Sequence, residues 1–150
     1  MTRAEPRKPR VFVDADALFA GAASPSEYGA SLVVLRMAEI TLIDALTSQQ
    51  VLIEVERNLQ AKLPPALPAF RMLVQRCLEV VPDPTAEELR GHQGRADVKD
   101  LPILVAAVRE GCPWLVTFNV RDYRPGHTAV TVLTPGEFLQ EVRYLLGRLE

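Results

Sequence analysis

Asp97 and Asp100 stand three residues apart at the head of the apolar run LPILVAAV. Asp14 closes the apolar segment RVFV, and Asn119 and Asp122 follow directly on WLVTF. A carboxylate at the end of a buried segment is costly unless it meets a cation, a metal or hydrogen-bond donors. Several acids at such ends, with no cationic motif beside them, suit a hard divalent ion such as Mg²⁺ or Mn²⁺, which takes oxygen ligands and keeps waters. His92 and His127 are the only histidines and have no partner at a zinc-binding spacing. GxSxG, GxxxxGK[ST] and GxGxxG are all absent, which removes the nucleophile elbow and the phosphate loops.

Each acid also has a plain structural reading. Asp100 is a fitting helix N-cap: the macrodipole favours its charge and Pro102 suits a first turn. Asp97 is one more polar residue ahead of a helix. Glu54 and Glu56 flank the apolar stripe of their segment on opposite sides, and periodicity does not choose between them.

Positioning these groups is the task of the elements around them. RVFVD reads as a buried strand ending at Asp14. SPSEYGASLVVLRMAEI reads as a helix capped by Ser26, and TLIDA as a second strand. TSQQVLIEVERNLQAKL, with Thr47 and Ser48 as candidate caps, places Val51, Leu52, Val55, Leu59 and Leu63 at helical spacing. Pro64, Pro65 and Pro68 break it. AFRMLVQRCL reads as a helix, EVVP as a short strand, and AEELRGHQ as a polar helix capped by Thr85. Asp100 opens the next helix. WLVTF and AVTVL are further strands, and TPGEFLQEVRYLLGRL closes the chain as an amphipathic helix. Apolar strands alternating with helices indicate an α/β fold with a mostly parallel sheet covered on both faces. In such sheets, sites form beyond the carboxyl ends of the strands, where these acids stand.

The chain has 150 residues, 48% of them hydrophobic, enough for one ordinary folded domain over 10–150 behind a loose tail at 1–9. No run approaches the ~20 apolar residues that span a bilayer. The basic opening MTRAEPRKPR leads into a strand and then acids, unlike a signal peptide. Cys77 and Cys112 read as free thiols, in keeping with a reducing cytoplasm. The net charge of −2 does not announce a nucleic-acid partner. Acids gathered in one site would leave the remaining surface more basic, with Arg57, Lys62, Arg71 and Arg76 as a candidate positive flank.

The order of segments resembles the PIN-domain ribonuclease family, and within it the VapC-type toxins of toxin–antitoxin systems. VFVDADALFAG is similar to the family's first strand, VLIEVERNL to its Glu-bearing helix, and DVKDLPILVAAV to its acidic helix start. WLVTFNVRDY resembles its Asn- and Asp-bearing strand end, and VTVLTPGEFL its last strand and helix. Together they cover residues 10 to 139. The resemblance implies a three-layer PIN-like fold and metal-dependent hydrolysis of RNA, leaving a 3′-hydroxyl and a 5′-phosphate. It makes Asp14, Glu54 (rather than Glu56), Asp100 and Asp122 the catalytic acids. It also implies that these four, with Asp97 as auxiliary and Asn119, hold Mg²⁺ or Mn²⁺. Thr117 would support a ligand or water through its hydroxyl. The expected partners are RNA, a small antitoxin protein and a second copy of the chain, with no membrane. Asp16 departs from the family's frequent Asn, and Tyr123 from its commoner Phe.

Two other readings belong beside this one. VDADAL also resembles the opening of haloacid-dehalogenase-type phosphatases, with Asp14 as nucleophile and Asp16 as acid/base. A PIN-like domain acting only as a nucleic-acid or protein-binding module is the other.

Overall fold

The structure, a computed structural model, describes residues 8–23 and 29–148. Its sheet has five parallel strands in the order β3-β2-β1-β4-β5: β1 Arg10–Val13, β2 Asp44–Ser48, β3 Leu78–Val81, β4 Trp114–Val116 and β5 Thr131–Leu133. The helices among the described residues are α1 Ala15–Ala23, α2 Ala30–Glu39, α3 Gln49–Lys62, α4 Leu67–Cys77, α5 Ala86–Arg90, α6 Leu101–Arg109 and α7 Pro135–Gly147. Single 3₁₀ turns cover Pro64–Ala66 and Val120–Tyr123.

The expected α/β class with a parallel sheet between helices holds. β1 is central and buried from Val11 onward, with Val11 and Phe12 at 0% exposure. Phe12 lies in register with Leu46 of β2 and Leu115 of β4. From β1 the chain steps outward to β2 and β3, then returns across the sheet to β4 on the other side of β1. Right-handed crossovers therefore carry α1–α4 over one face and α5 and α6 over the other. Consistently, α1 packs on α2 and α3, whereas α5 packs on α6 and α6 on β4. The reversal of direction between β1 and β4 is a topological switch point, and it opens a crevice at their carboxyl ends.

Several local expectations are corrected. Residues 15–23 form α1, which the sequence reading left out because ADALFAGAA lacks a polar/apolar alternation. Ser26 and residues 1–7 of the tail lie outside the described residues, and α2 starts after Gly29. β2 begins at Asp44 rather than Thr41, so Thr47 is strand rather than cap, and its hydroxyl donates to Val13 O at 2.9 Å. Ser48 occupies the N-cap position of α3 without a side-chain bond. Thr85 does cap α5, and Thr134 caps α7, each through a reciprocal pair with the third helical residue, Glu88 or Glu137. Cys77 and Cys112 are free, but only Cys112 is fully buried.

Candidate active site

Backbone pairing continues past β1 and β4 and sets the first acid in place. Asp14 N donates to Val116 O at 3.0 Å, and Thr117 N donates to Leu133 O at 2.9 Å. Asp14 and Thr117 thus stand side by side at the switch point, both buried. Asp14 Oδ1 accepts from Ala15 N at 2.7 Å. Asp14 Oδ2 accepts from Thr117 Oγ1 at 2.9 Å and from Tyr123 Oη at 2.6 Å. Three donors thus meet the cost of burying this charge. They also leave the two oxygens unequal: Oδ2 already has two partners, and Oδ1 keeps the freer lone pair.

Asp16, one helical step on, turns back to the same place. Its Oδ2 accepts from Phe118 N at 3.0 Å and from Asn119 Nδ2 at 3.1 Å, with Thr117 Oγ1 at 3.3 Å. Burial, and then the neighbouring Asp14, push its carboxyl up to about 6. Thr117, which also accepts from Asn119 N at 3.1 Å, is the joint between the two acids.

The other acids arrive from the opposite half of the fold. Asp97, Asp100 and Asp122 each offer a carboxylate oxygen, and those oxygens lie within 4.8 Å of one another. Asp97 N donates to Asp122 O at 2.8 Å, which locks the α6 entrance to the turn after β4. Asp97 O accepts from Asp100 N and Leu101 N, each at 2.8 Å, and so does the capping by backbone alone. The Asp100 side chain makes no cap bond, although Asp100 holds the N-cap position. The capping reading of Asp100 fails on that point, and its carboxylate remains free toward the cluster. Burial raises the Asp100 carboxyl to about 6, with Asp14, Asp122 and Asp97 adding to the rise and Lys99 opposing it. Asp14 accepts from Tyr123, the neighbour of Asp122, and its charge adds to the rise of Asp100, so it borders this acid site. All its donors are oxygens, and its charges repel one another, which is the chemistry that fits a hard cation.

The structure therefore brings together Asp97, Asp100 and Asp122; Asp14 lies outside that 4.8 Å group, with its own partners Thr117 and Tyr123, and Asn119 is bonded to Asp16. Glu54 is not a member of the 4.8 Å cluster. It is half-buried on α3 and lines, with Lys99, Asp83 and Arg57, an open groove of about 590 Å³ beside it. Of the expected positive flank, Arg71 is paired with Glu56 at 3.2 Å. Glu56 thus has a structural partner that Glu54 lacks among the described residues.

Two residues that stand out in the sequence only as departures from the family bond directly into the site. Asp16 gave a signal in its spacing from Asp14, but its bonds to Phe118 and Asn119 join segments about a hundred residues apart. Tyr123 looked like a mild exchange for Phe. Its ring is buried and its hydroxyl carries the shortest bond to Asp14. Burial, and then Asp14, hold that phenol far above its ordinary range, so it is a permanent donor.

A profile of the PIN domain matches residues 10–121. The chain belongs to the PIN-domain family, whose members are in general nucleases and typically depend on divalent metal. That membership displaces the phosphatase reading of Asp14 and Asp16. Among solved structures, one similar in fold is PAE2754 from Pyrobaculum aerophilum, with 17% identity, a TM-score of 0.65, and coverage of 91% of this chain and 96% of that one. Another is VapBC2 from Rickettsia felis bound to a DNA fragment from their promoter, with 17% identity, a TM-score of 0.61, and coverage of 82% and 96%. No curated protein matches the sequence. Among the described residues, no helix is long and apolar enough to cross a membrane.

Proposed function

We propose that this protein is a metal-dependent endoribonuclease and the toxin of a toxin–antitoxin pair. The observation that carries the reading is the gathering of Asp97, Asp100 and Asp122 within 4.8 Å beside a fully hydrogen-bonded Asp14, in a chain of the PIN family. Asp14, Glu54, Asp100 and Asp122 are the catalytic acids; with Asp97 and Asn119 they hold Mg²⁺ or Mn²⁺. When bound, the metal supplies a water of lowered pKa and offsets charge on the scissile phosphate. Thr117 and Tyr123 hold Asp14 Oδ2, which would leave Oδ1 as the oxygen available to a metal. Asp97, tied by its backbone to Asp122, holds the acids of that cluster together. The solved VapBC2 relative supports a small antitoxin as protein partner. A homodimer in the cytoplasm completes the proposal.

Cleavage of a labelled single-stranded RNA, followed with Mn²⁺ or Mg²⁺ and with EDTA, tests it. Cutting should require the ion, and Asp100→Asn should reduce the rate at least a hundredfold while the protein stays folded. RNA binding without cutting under either ion would instead leave a binding module.

A further inference from the structure

The acidic site does not end at its ligands. Asp122, one wall of the acid cluster, also lines an open groove of about 530 Å³ with Phe118, Asn119, Arg121 and Arg124. That volume lies within the roughly 300–1,000 Å³ of small-ligand sites. Phe118 is 50% exposed, although it directly follows a buried strand and the buried Thr117. Its backbone N–H is fastened to Asp16, so the ring is held at the lip of the site rather than on a loose loop. Arg121 and Arg124 are exposed, and neither forms an ion pair among the described residues. The groove's other acid, Glu137, is tied to the cap of α7 through Thr134 N at 3.0 Å.

An exposed aromatic face followed by unpaired guanidinium groups is the combination that binds single-stranded nucleic acid, with bases stacking on the ring and phosphates tracking the cations. We infer that this groove is the subsite for the nucleotide next to the scissile phosphate, with Phe118 stacking its base and Arg121 and Arg124 holding the flanking phosphates. The inference rests on the nuclease reading of the acid cluster, and it adds a requirement: the strand must be unpaired, because a base in a duplex cannot present its face to Phe118.

Fluorescence anisotropy with a fluorescein-labelled 12-nucleotide single-stranded RNA of mixed sequence, in Mg²⁺ on ice, measures the binding. Phe118→Ala should weaken it roughly five- to a hundredfold, the range for loss of one stacked base. Phe118→Trp should restore it. Arg121→Gln and Arg124→Gln should each lower the slope of log affinity against log salt by about 0.7. A 5-iodouridine-labelled version of the RNA should crosslink at Phe118, and the RNA's own duplex should compete poorly. All three sites are exposed, so melting temperatures should not move. Wild-type affinity in Phe118→Ala, equal competition by duplex, or no RNA binding by the wild type would each overturn the subsite. If Mn²⁺-dependent cleavage persists with unchanged kcat/KM in Phe118→Ala, the subsite falls and the nuclease stands. If binding depends on Phe118 but no ion supports cleavage, the nuclease falls and the groove stands.

Discussion

Asp14 sits in the apolar end of the sheet only because three donors meet it, and Tyr123 makes the shortest of those bonds, 2.6 Å. Tyr123→Phe keeps the ring in the core and removes the hydroxyl alone. A hydrogen bond to a buried charge is worth about 1.5–3 kcal/mol, and the loss should appear as a corresponding drop in unfolding free energy by urea titration. Asp100 should behave in the opposite way. Its carboxyl is raised from 3.8 to about 6 in the folded protein, so the fold binds a proton more readily than the unfolded chain does. The stabilisation by that proton is complete below the unfolded value and gone above about pH 6. Asp100→Asn should therefore melt above the wild type at pH 7.5 without metal, and the gap should close as pH falls through 6. Because Asp100 is only half-buried, the gap should be small and should shrink further in salt. Thermal melts over pH 4.5–8 in EDTA check both slope and sign. These residues also mark the limit of sequence reading. Asp14 stood out as an acid at the end of an apolar strand, whereas Asp97 and Asp100 read equally as helix punctuation, and the family resemblance grouped them with Asp122. The role of Tyr123 was not legible, because a hydroxyl aimed at a distant carboxylate leaves no trace in spacing.

The elements were legible where their periodicity or their caps were strong. β1, β4, α3 and α6 carry the acids and follow plain apolar patterns. α1 was missed because its small and apolar residues, ADALFAGAA, show no stripe; it is buried on several sides rather than one. β2 was displaced by three residues because the run TLIDALTS is equally apolar at either end, and only pairing with β1 and β3 selects Asp44–Ser48. α1 approaches α2 closely at Gly21. A Cβ there would lie 2.6 Å from Leu35 Cδ1, and Leu35 is itself buried with little room to turn. Gly21→Ala should gain some helix propensity but lose more to overpacking, for a net cost of about 1–2 kcal/mol. Chemical denaturation should show this without any change in metal response, since α1 bears on the site through its first turn, at Ala15, Asp16 and Leu18, ahead of Gly21.

For the whole molecule, the net charge of −2 hides its arrangement. Acids are concentrated at the switch point, while Arg121, Arg124, Arg57 and Lys99 stand along the two grooves beside it. That layout is what the proposed RNA substrate would need, and the total charge alone does not announce it. Mn²⁺ should therefore stabilise the fold by relieving repulsion. At a hundred times its dissociation constant an ion that binds only the native state contributes about 2.7 kcal/mol. For a chain of this size that is a rise in Tm of roughly 5–10 °C, reversed by EDTA and largely absent in Asp100→Asn.

The bond between Thr117 and Asp14 spans 103 positions of sequence, and the Tyr123 bond spans 109. During synthesis β1, β2 and β3 can pair as they emerge, because each follows its neighbour in order. β4 has to slide in beside β1 on its far side, after everything before it has been made. The acids of the site therefore meet only after the segment through Asp122 has been made, since non-local pairing comes after the loops between are closed. A nascent chain, or one broken off before Phe118, carries Asp14, Glu54, Asp97 and Asp100 without the means to assemble them. On the proposed nuclease reading, the order of translation would itself be a safety catch, because fragments lacking Asp122 would have no assembled site.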